Sequence, residues 1–335
     1  MNKPNLKTDR TLTDINGRRL RYLRLSLTER CNLRCGYCYG SVDTPCNEPA
    51  GLTNPQIMRL VRAFAGLGFD KVRFTGGEVL LHGGIAELIE QTSATGGIAV
   101  VGITTNGLLL DKQLPRLIGA GLNRLNVSLD TLDSKRFQHI TGVNGFERVF
   151  DAIQNAVKSR AFPRVKINTV IMRGVNDDEI GHLADWGLSN PIDLRFIEFM
   201  PTHRSGWGHA RYVSEAEMKK TIGVPLEPVH DRAANRGPAI TYRRGDSPGR
   251  ISFISAVSRS FCGQCNRLRV TSQGQLVGCL FGDQRVDLRE LVERNAPAKE
   301  IERVIVSAVR SPGFRREGLS TSVTSLKPRM RGLGG

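Results

Sequence analysis

The stretch Tyr22-Leu-Arg-Leu-Ser-Leu-Thr-Glu-Arg-Cys-Asn-Leu-Arg-Cys-Gly-Tyr-Cys38 joins an apolar segment to a cluster of three cysteines. Residues Tyr22–Leu27 have the composition of a buried β-strand, and Cys31, Cys35 and Cys38 follow where that strand ends. A zinc site or a fully ligated iron–sulfur cluster usually takes four protein ligands, so three thiolates on one short loop leave one metal position for another ligand. The stretch therefore predicts a metal site with an open position at the end of a strand.

Short apolar segments alternate with longer amphipathic ones from Arg21 to about Met200. Strands are expected at Tyr22–Leu27, Lys71–Phe74, Ile98–Thr104, Arg124–Ser128, Val165–Ile171 and Leu194–Phe199. Helices are expected between them, at Asn54–Gly66, Ile85–Thr95, Lys112–Ala120, Asp133–Ile140, Glu147–Ser159 and Asp177–Gly187. Six strand–helix units in series predict an α/β fold over residues 1–201, a partial (open) TIM-type (βα)6 barrel, because six units are too few to close an eight-stranded barrel.

Residues 202–335 have a different character, rich in arginine, glycine and proline. Short strands are expected at Ala239–Arg243, Ile251–Ser255, Leu268–Thr271 and Leu276–Cys279, followed by a helix at Ala298–Arg310. A second set of cysteines, Cys262, Cys265 and Cys279, lies among these strands. We expect a mainly β extension that covers the open side of the barrel and carries a second metal centre, followed by a flexible tail at Met330–Gly335.

Composition narrows the class of protein. The 335 residues are 39% hydrophobic, enough for a sizeable core, and no apolar run approaches the length of a membrane helix. The segment Met1–Arg21 is too polar for a signal peptide, and six of the seven cysteines fall in two tight groups that suit metal binding in a reducing compartment, so the cytoplasm is expected. Cys46 lies outside both groups and is expected to be an unligated thiol.

The net charge of +16 fits a nucleic-acid binder or an enzyme for an anionic small molecule. The basic residues are scattered along the chain, which argues against a nucleic-acid binder.

The Cys-x3-Cys-x2-Cys spacing, with Thr-Glu-Arg before it and Asn-Leu-Arg within it, resembles the signature of the radical S-adenosylmethionine (SAM) superfamily. The resemblance implies that the three thiolates bind a [4Fe–4S] cluster whose fourth iron is chelated by SAM, and that reductive cleavage of SAM yields a 5′-deoxyadenosyl radical. It also implies that the backbone carbonyls of Gly76-Gly77-Glu78 bind the SAM amino group. The chain departs from the pattern at Val79, where proline is usual, and at Tyr39-Gly40, where Met-Pro is frequent.

The second cysteine set leaves two interpretations open on the residues alone, a zinc site that needs a fourth ligand or a second [4Fe–4S] cluster with an open iron. Further stretches resemble the molybdenum cofactor biosynthesis protein A family of radical SAM GTP 3′,8-cyclases. They are Lys71–Glu78, Thr104–Leu108, Asn126–Asp133, Val165–Asn168, Arg195–Pro201, Ser260–Arg269, Gly278–Phe281 and Gly334-Gly335. The resemblance implies a second [4Fe–4S] cluster whose open iron contacts the guanine ring of GTP.

The resemblance also implies roles for individual residues. The expected SAM site is lined by Tyr37, Gly77, Ser128 and Met200. The expected GTP site is lined by Arg24, Arg73, Thr104, Lys166, Arg267 and Arg269, of which the last two are the candidate catalytic residues. A triphosphate carries about four negative charges, and the planar fork of arginine suits bidentate phosphate contacts. We assign no acid–base role to Asp130, Asp133 or Glu198, because Asp133 has the position of a helix N-cap and Glu198 is expected to pair with Arg195 or another neighbour.

The implied reaction converts GTP to 3′,8-cyclo-7,8-dihydro-GTP by hydrogen abstraction at C3′ and attack of that carbon on C8. The resemblance implies two partners, an electron donor and a downstream cyclic pyranopterin monophosphate synthase. It also implies that the Gly334-Gly335 tail enters the active site. The oligomeric state is open, with a homodimer as one candidate. Two rival hypotheses stay open, a peptide-modifying radical SAM enzyme with an auxiliary cluster and a basic, zinc-stabilised nucleic-acid-binding protein.

Overall fold

The computed structural model describes residues 11–39, 50–200, 209–229, 237–259, 261–280, 282 and 284–314. Its strands are β1 Tyr22–Ser26, β2 Lys71–Thr75, β3 Val100–Thr105, β4 Arg124–Ser128, β5 Val165–Ile171, β6 Ile192–Glu198, β7 Glu227–Pro228, β8 Ile240–Arg243, β9 Arg250–Ile254, β10 Arg267–Val270, β11 Gln275–Val277 and β12 Arg285–Asp287. Its helices are α1 Gly36–Tyr39, α2 Asn54–Gly66, α3 Ile85–Ser93, α4 Leu110–Gly119, α5 Ser134–Thr141, α6 Phe146–Lys158, α7 Ile180–Ser189, α8 Glu215–Ile222, α9 Arg289–Glu293 and α10 Ala298–Arg310. Cys46, Gly40 and the Gly334-Gly335 tail lie outside the described residues.

These strands form one sheet in the order β12-β11-β10-β1-β2-β3-β4-β5-β6-β9-β8-β7. The eight strands from β10 to β9 pair in parallel, and the pairs outside them are antiparallel. The predicted open α/β barrel with six consecutive parallel strands is confirmed. The strand-rich extension joins that same sheet, because β10 pairs with β1 at one edge and β9 pairs with β6 at the other. Both edges thereby gain partners for backbone groups that would otherwise lack them.

Alternation along the parallel strands gives the sheet two different faces. On β1 the side chains of Leu23 and Leu25 are fully buried under the helices, and the residues between and after them, Arg24 and Ser26, point to the other face. That inner face carries polar and basic side chains, whereas the outer face belongs to one large apolar core. Burying a leucine side chain stabilises the fold by about 1.5–3 kcal/mol, so the helix-covered face supplies the stability and the inner face is free to carry chemistry.

The helices begin where local signals place them. Helix α2 starts after Thr53, which forms a capping box with Gln56, and has proline in its first turn. Helix α8 starts after Ser214, which forms a capping box with Glu217, and ends at Gly223 in the left-handed conformation. Helix α8 was not predicted from the sequence, although Ser214-x-x-Glu217 is a capping-box pattern. The boundary expected after residue 201 falls among undescribed residues and stays a prediction.

Candidate active site

The first cysteine loop is clamped to the end of β2. The backbone N–H of Gly77 donates to the Thr28 carbonyl at 2.7 Å, and the N–H of Glu78 donates to the Arg30 carbonyl at 2.7 Å. A Cβ on Gly77 would lie only 2.3 Å from the Arg30 carbonyl oxygen, so this position requires glycine. The Gly-Gly-Glu motif therefore holds the cysteine loop in place, in addition to the SAM contact that the resemblance implies.

The Glu78 side chain points into the protein and not into the site. Its carboxylate is buried and accepts hydrogen bonds from Leu80 N at 3.0 Å, Thr105 Oγ1 at 2.6 Å and Asn106 N at 2.7 Å. Burial raises the pKa of this carboxyl, and those hydrogen bonds oppose the rise. Glu78 thus ties the end of β2 to the end of β3. The neighbouring Val79, where the family usually has proline, is buried and starts a short 3-10 turn.

A cavity opens at the carboxyl ends of the parallel strands. All four residues expected to bind SAM line it, and so do the three cysteines of the first loop and Thr104; the set is Tyr37, Gly77, Ser128, Met200, Cys31, Cys35, Cys38 and Thr104. The cysteines form no disulfide. Within the described ranges, no three His, Cys, Asp or Glu side chains are arranged as ligands of a single metal ion. The structure therefore places the predicted SAM residues beside the predicted cluster ligands.

Asp130 also lines this cavity, where it is buried. Its carboxylate accepts hydrogen bonds from the Tyr37 hydroxyl at 2.8 Å and from Val170 N at 2.9 Å. Burial raises the pKa of Asp130 to about 6, against the lowering effect of those two hydrogen bonds. The carboxylate fixes the Tyr37 ring within the cysteine loop, a contact between residues far apart in the chain that the sequence analysis did not find.

Basic residues occupy the inner face deeper in the sheet. Arg24 on β1 is paired in register with Arg73 on β2 and with Arg269 on β10. Arg73 Nη1 reaches Thr104 Oγ1 at 3.5 Å. A Cβ on Gly102 of β3 would lie 2.9 Å from Arg73 Nη2, so that glycine leaves room for the guanidinium group. Lys166 on β5 is two strands from Thr104, with Asn126 of β4 between them in register.

Burial and neighbouring cations disfavour the charged forms of the basic residues on the inner face. Burial, Arg24 and Arg267 lower the pKa of Arg269 to about 9. Burial and then Arg195 lower the pKa of Lys166 to about 7, with Asp193 opposing. Asp193 pairs with Arg195 at 2.8 Å. Removing cations from water is costly unless anions compensate their charge, so this layer is suited to a strongly anionic ligand.

Tyr22 lies at the base of the basic layer and was missed as a site residue. Its hydroxyl accepts a hydrogen bond from Arg73 Nε at 2.8 Å, and Lys71 Nζ lies 4.3 Å from the ring centroid. Although burial raises the pKa of Tyr22, Arg73, Lys71, Arg24 and Arg267 together bring it down to about 6. Alternation along β1 and β2 was the available signal, because Tyr22 and Lys71 precede Arg24 and Arg73 by two residues.

Several buried polar atoms on the inner face have no hydrogen-bond partner among the described residues. They are Ser26 Oγ, Asn126 Oδ1, Asn168 Oδ1 and Arg269 Nε. A buried polar group without a partner costs about 1–3 kcal/mol. Their distribution from β10 to β5 fits a bound polar molecule that spans the inner face.

The second cysteine set lies at the opposite end of β1 from the first. Cys262 and Cys265 lie in the turn before β10, Cys279 follows the antiparallel β11, and Arg267 and Arg269 lie on β10. Because β10 runs parallel to β1, Cys265 is near the start of β1 whereas Cys31 follows its end. Five strand residues span about 16 Å. The basic layer, including all five basic residues expected at the GTP site, lies between the two sets.

The carboxylates set aside in the sequence analysis have structural partners. Asp133 caps α5, accepting from Arg136 N at 2.6 Å, as predicted. Of the two alternatives expected for Glu198, the pair with Arg195 is not formed and other groups bind the carboxylate. Its carboxylate accepts instead from the backbone N–H groups of Glu215, Val257 and Ser258, at 2.8–2.9 Å. The competing partner of Arg195 is Asp193, two residues earlier on the same strand face.

Comparison with known proteins agrees with this geometry. The model for the Radical SAM superfamily matches residues 25–187, and the model for Molybdenum Cofactor Synthesis C matches residues 192–314. The structure of SuiB from Streptococcus suis bound to S-adenosylmethionine is similar with a TM-score of 0.60 at 18% identity, over 83% of this chain and 66% of that one. At that identity the likeness shows a shared fold. The fold and the first cysteine loop thus define a radical SAM protein.

Relatives that match almost the whole of this chain show which family of radical SAM proteins it belongs to. GTP 3′,8-cyclase from Thermodesulfovibrio yellowstonii is 38% identical over 97% of this chain and 100% of its own length. Molybdenum cofactor biosynthesis protein 1 from Homo sapiens is 39% identical over 95% of this chain, but the chain spans only about half of that protein, 50%. The chain belongs to the GTP 3′,8-cyclase family of radical SAM proteins. Over the described ranges, none of its helices is long and apolar enough to cross a membrane.

Proposed function

We propose that this protein is a GTP 3′,8-cyclase that converts GTP to 3′,8-cyclo-7,8-dihydro-GTP in molybdenum cofactor biosynthesis. The observation that carries the proposal is the layer of buried and half-buried arginine and lysine side chains between two three-cysteine sets. A radical-generating site alone would need only the first set. The second set and the basic layer add a place for a polyanionic substrate. The family relationship supports the same assignment.

The first site fits SAM and a [4Fe–4S] cluster by the chemistry of its donors. Cys31, Cys35 and Cys38 would bind three irons and leave the fourth for SAM, which Tyr37 and Ser128 would help to position. When bound, the reduced cluster and SAM supply a 5′-deoxyadenosyl radical that takes a hydrogen atom from C3′ of GTP. Gly77, whose N–H donates to the Thr28 carbonyl, would fix the position of the cysteine loop. Met200 would cover the cavity from the end of β6.

The second site fits GTP. Cys262, Cys265 and Cys279 would hold a second [4Fe–4S] cluster, and the basic layer beside it would bind the triphosphate. Arg269 has a buried Nε without an acceptor among described residues, and the lowered pKa of Lys166 means that this site gains from an anion. Both features favour phosphate oxygens over a neutral peptide. Arg24, Arg73 and Thr104 would hold the nucleotide between the two cysteine sets, with C3′ turned toward the SAM cavity.

The wider context is part of the same proposal. The reaction requires an external electron donor, and its product would pass to a cyclic pyranopterin monophosphate synthase. The cytoplasm is the expected compartment, and a homodimer is one candidate assembly. No nucleic-acid or membrane partner is proposed. The Gly334-Gly335 tail would reach the active site.

Anaerobic incubation with GTP, SAM and a reductant tests the proposal. We expect one 5′-deoxyadenosine and one cyclised nucleotide per turnover, and the absence of both would refute it. Metal and sulfide analysis distinguishes the proposal from the zinc-protein rival. The proposal requires about eight irons and inorganic sulfide, whereas the rival requires zinc. Tight GTP binding by the reconstituted protein that is lost in the double variant Arg267→Ala/Arg269→Ala would argue against the peptide-modifying rival.

A further inference from the structure

The segment before β1 forms a small hairpin beside the second cysteine set. Thr13 and Arg19 make an antiparallel bridge, and Leu20 N donates to the Leu12 carbonyl at 2.8 Å. Gly17 takes the left-handed conformation at the turn, with φ +73°. We call residues 12–20 the N-terminal hairpin. Because its second strand leads directly into β1, the hairpin sits at the end of the sheet where Cys265 precedes β10.

The N-terminal hairpin contains a buried ion pair. Arg18 Nε donates to Asp14 Oδ2 at 2.7 Å, with side-chain exposures of 6% and 0% respectively. Asp14 Oδ1 accepts in turn from the backbone N–H groups of Asn16 at 3.0 Å and Arg18 at 2.9 Å. Removing two charges from water costs several kcal/mol for each ion, and mutual attraction returns this only when further hydrogen bonds are made. The guanidinium group makes such a bond outside the hairpin.

Arg18 Nη1 donates to the backbone carbonyl of Cys262 at 2.9 Å. The same carbonyl accepts the N–H of Cys265 at 3.1 Å, the bond that closes the turn between the two cysteines. At the far end of this turn, the N–H groups of Arg21 and Tyr22 both approach the Asn266 carbonyl, at 3.1 and 3.2 Å. The segment from the hairpin into β1 therefore holds the cysteine turn at both ends.

We propose that Asp14 and Arg18 are positioning residues of the second cluster site, and that they preset the Cys262–Cys265 turn for iron binding. The inference rests on the proposed function, because it assumes a cluster on Cys262, Cys265 and Cys279. Asp14 fixes the guanidinium group, and the planar fork of Arg18 joins that carboxylate to the Cys262 carbonyl. The charge of Arg18 also lies behind a turn whose thiolates and cluster would be anionic. Neither residue would touch the substrate.

Iron content of the anaerobically reconstituted full chain tests this inference. Wild type should bind about eight irons, as two four-iron clusters require. Arg18→Gln and Asp14→Asn should bind about four, and the retained first cluster should still cleave SAM to 5′-deoxyadenosine in the absence of GTP. The matched control is Arg19→Gln, since Arg19 is exposed and donates to Thr11 Oγ1 at 3.0 Å. It should bind about eight irons, like wild type.

A full complement of iron in Arg18→Gln would overturn the inference, whereas a wild type without iron would overturn the proposed function itself. Thiol alkylation of the iron-free protein, mapped by mass spectrometry, gives a second readout. Cys262 should react several-fold faster in Arg18→Gln than in wild type, with Cys31 unchanged. If Arg18→Gln does not fold, Arg18→Lys replaces it, because lysine keeps the charge and lacks the fork. Faster alkylation of Cys262 in that variant supports the inference, and the wild-type rate contradicts it.

Discussion

Arg269→Met should change stability and substrate binding in opposite directions. Arg269 is 6% exposed, and burial with Arg24 and Arg267 lowers its pKa from 12.5 to about 9. At about 1.4 kcal/mol for each pKa unit, a cost on the order of 5 kcal/mol opposes folding at pH 7, where the group is protonated in both folded and unfolded states. Methionine retains much of the packing without the charge. We expect the free energy of unfolding to rise by about 1–4 kcal/mol, the range for apolar replacement of buried charges.

The same substitution should weaken GTP binding. Loss of a buried, charged hydrogen bond costs about 2–5 kcal/mol, which corresponds to a Kd increase from about 30-fold to a few thousand-fold. Thermal melting without GTP and anaerobic calorimetric titration with GTP measure the two effects. Arg244→Met is the control, because Arg244 is exposed, and it should alter neither quantity. A variant that melts lower and binds GTP normally would mean that Arg269 is a structural residue, and would refute the reasoning.

Three further predictions concern the glycine clamp at the first cysteine loop, the basic layer and the buried carboxylate of Glu78. Gly77→Ala should displace the cysteine loop, since its Cβ would lie 2.3 Å from the Arg30 carbonyl oxygen, and leave about four irons on the chain, all in the second set. Burial lowers the pKa of Lys166 to about 7, so roughly three quarters of these side chains are neutral at pH 7.5, and bound GTP should restore the proton. Calorimetry in two buffers of different ionisation enthalpy should show less proton uptake for Lys166→Met, and wild-type affinity should fall as the pH rises above 7. Glu78→Gln should lower the free energy of unfolding by about 1–3 kcal/mol, measured by melting, because both carboxylate oxygens accept hydrogen bonds and an amide nitrogen would face a donor.

Each of these predictions has a matched control. Gly96→Ala should bind iron like wild type, because a Cβ there has nothing within 4 Å. Lys158→Met, at an exposed lysine, should leave proton uptake unchanged, and Glu90→Gln, at an exposed glutamate, should leave the melting temperature unchanged. Equal proton uptake by wild type and Lys166→Met would contradict the assignment of that proton. Full iron content in Gly77→Ala would contradict the clamp at the first loop.

The barrel strands could be predicted because each carries its own local signal. Strands β4 and β5 have the predicted bounds, and helices α2 and α10 begin and end at the predicted residues. The pairing of β9 and β10 with the two edges of the barrel could not be predicted. Register between strands depends on contacts across the sheet, and the four or five residues of each strand do not specify their neighbour.

The candidate site divides in the same way. Cysteine spacing and the glycine pair were sufficient to find the first loop, because ligands on one loop are close in the chain. The contacts of Tyr22 with Arg73 and of Asp130 with Tyr37 were missed, because the partners lie 51 and 93 residues apart in the chain. Gly102 was missed for a related reason: its lack of a side chain serves the guanidinium group of a different strand.

The pairing of β9 with β6 and of β10 with β1 has a consequence for how the protein can be divided. If the chain were cut after residue 201, two parallel strands would be left with open hydrogen-bonding edges, which invite aggregation. Residues 1–201 would lack the strands that cover the edges of β1 and β6. Residues 202–335 would lose the strands with which β10 and β9 pair. The proposed SAM site and the proposed GTP site are therefore parts of one continuous sheet.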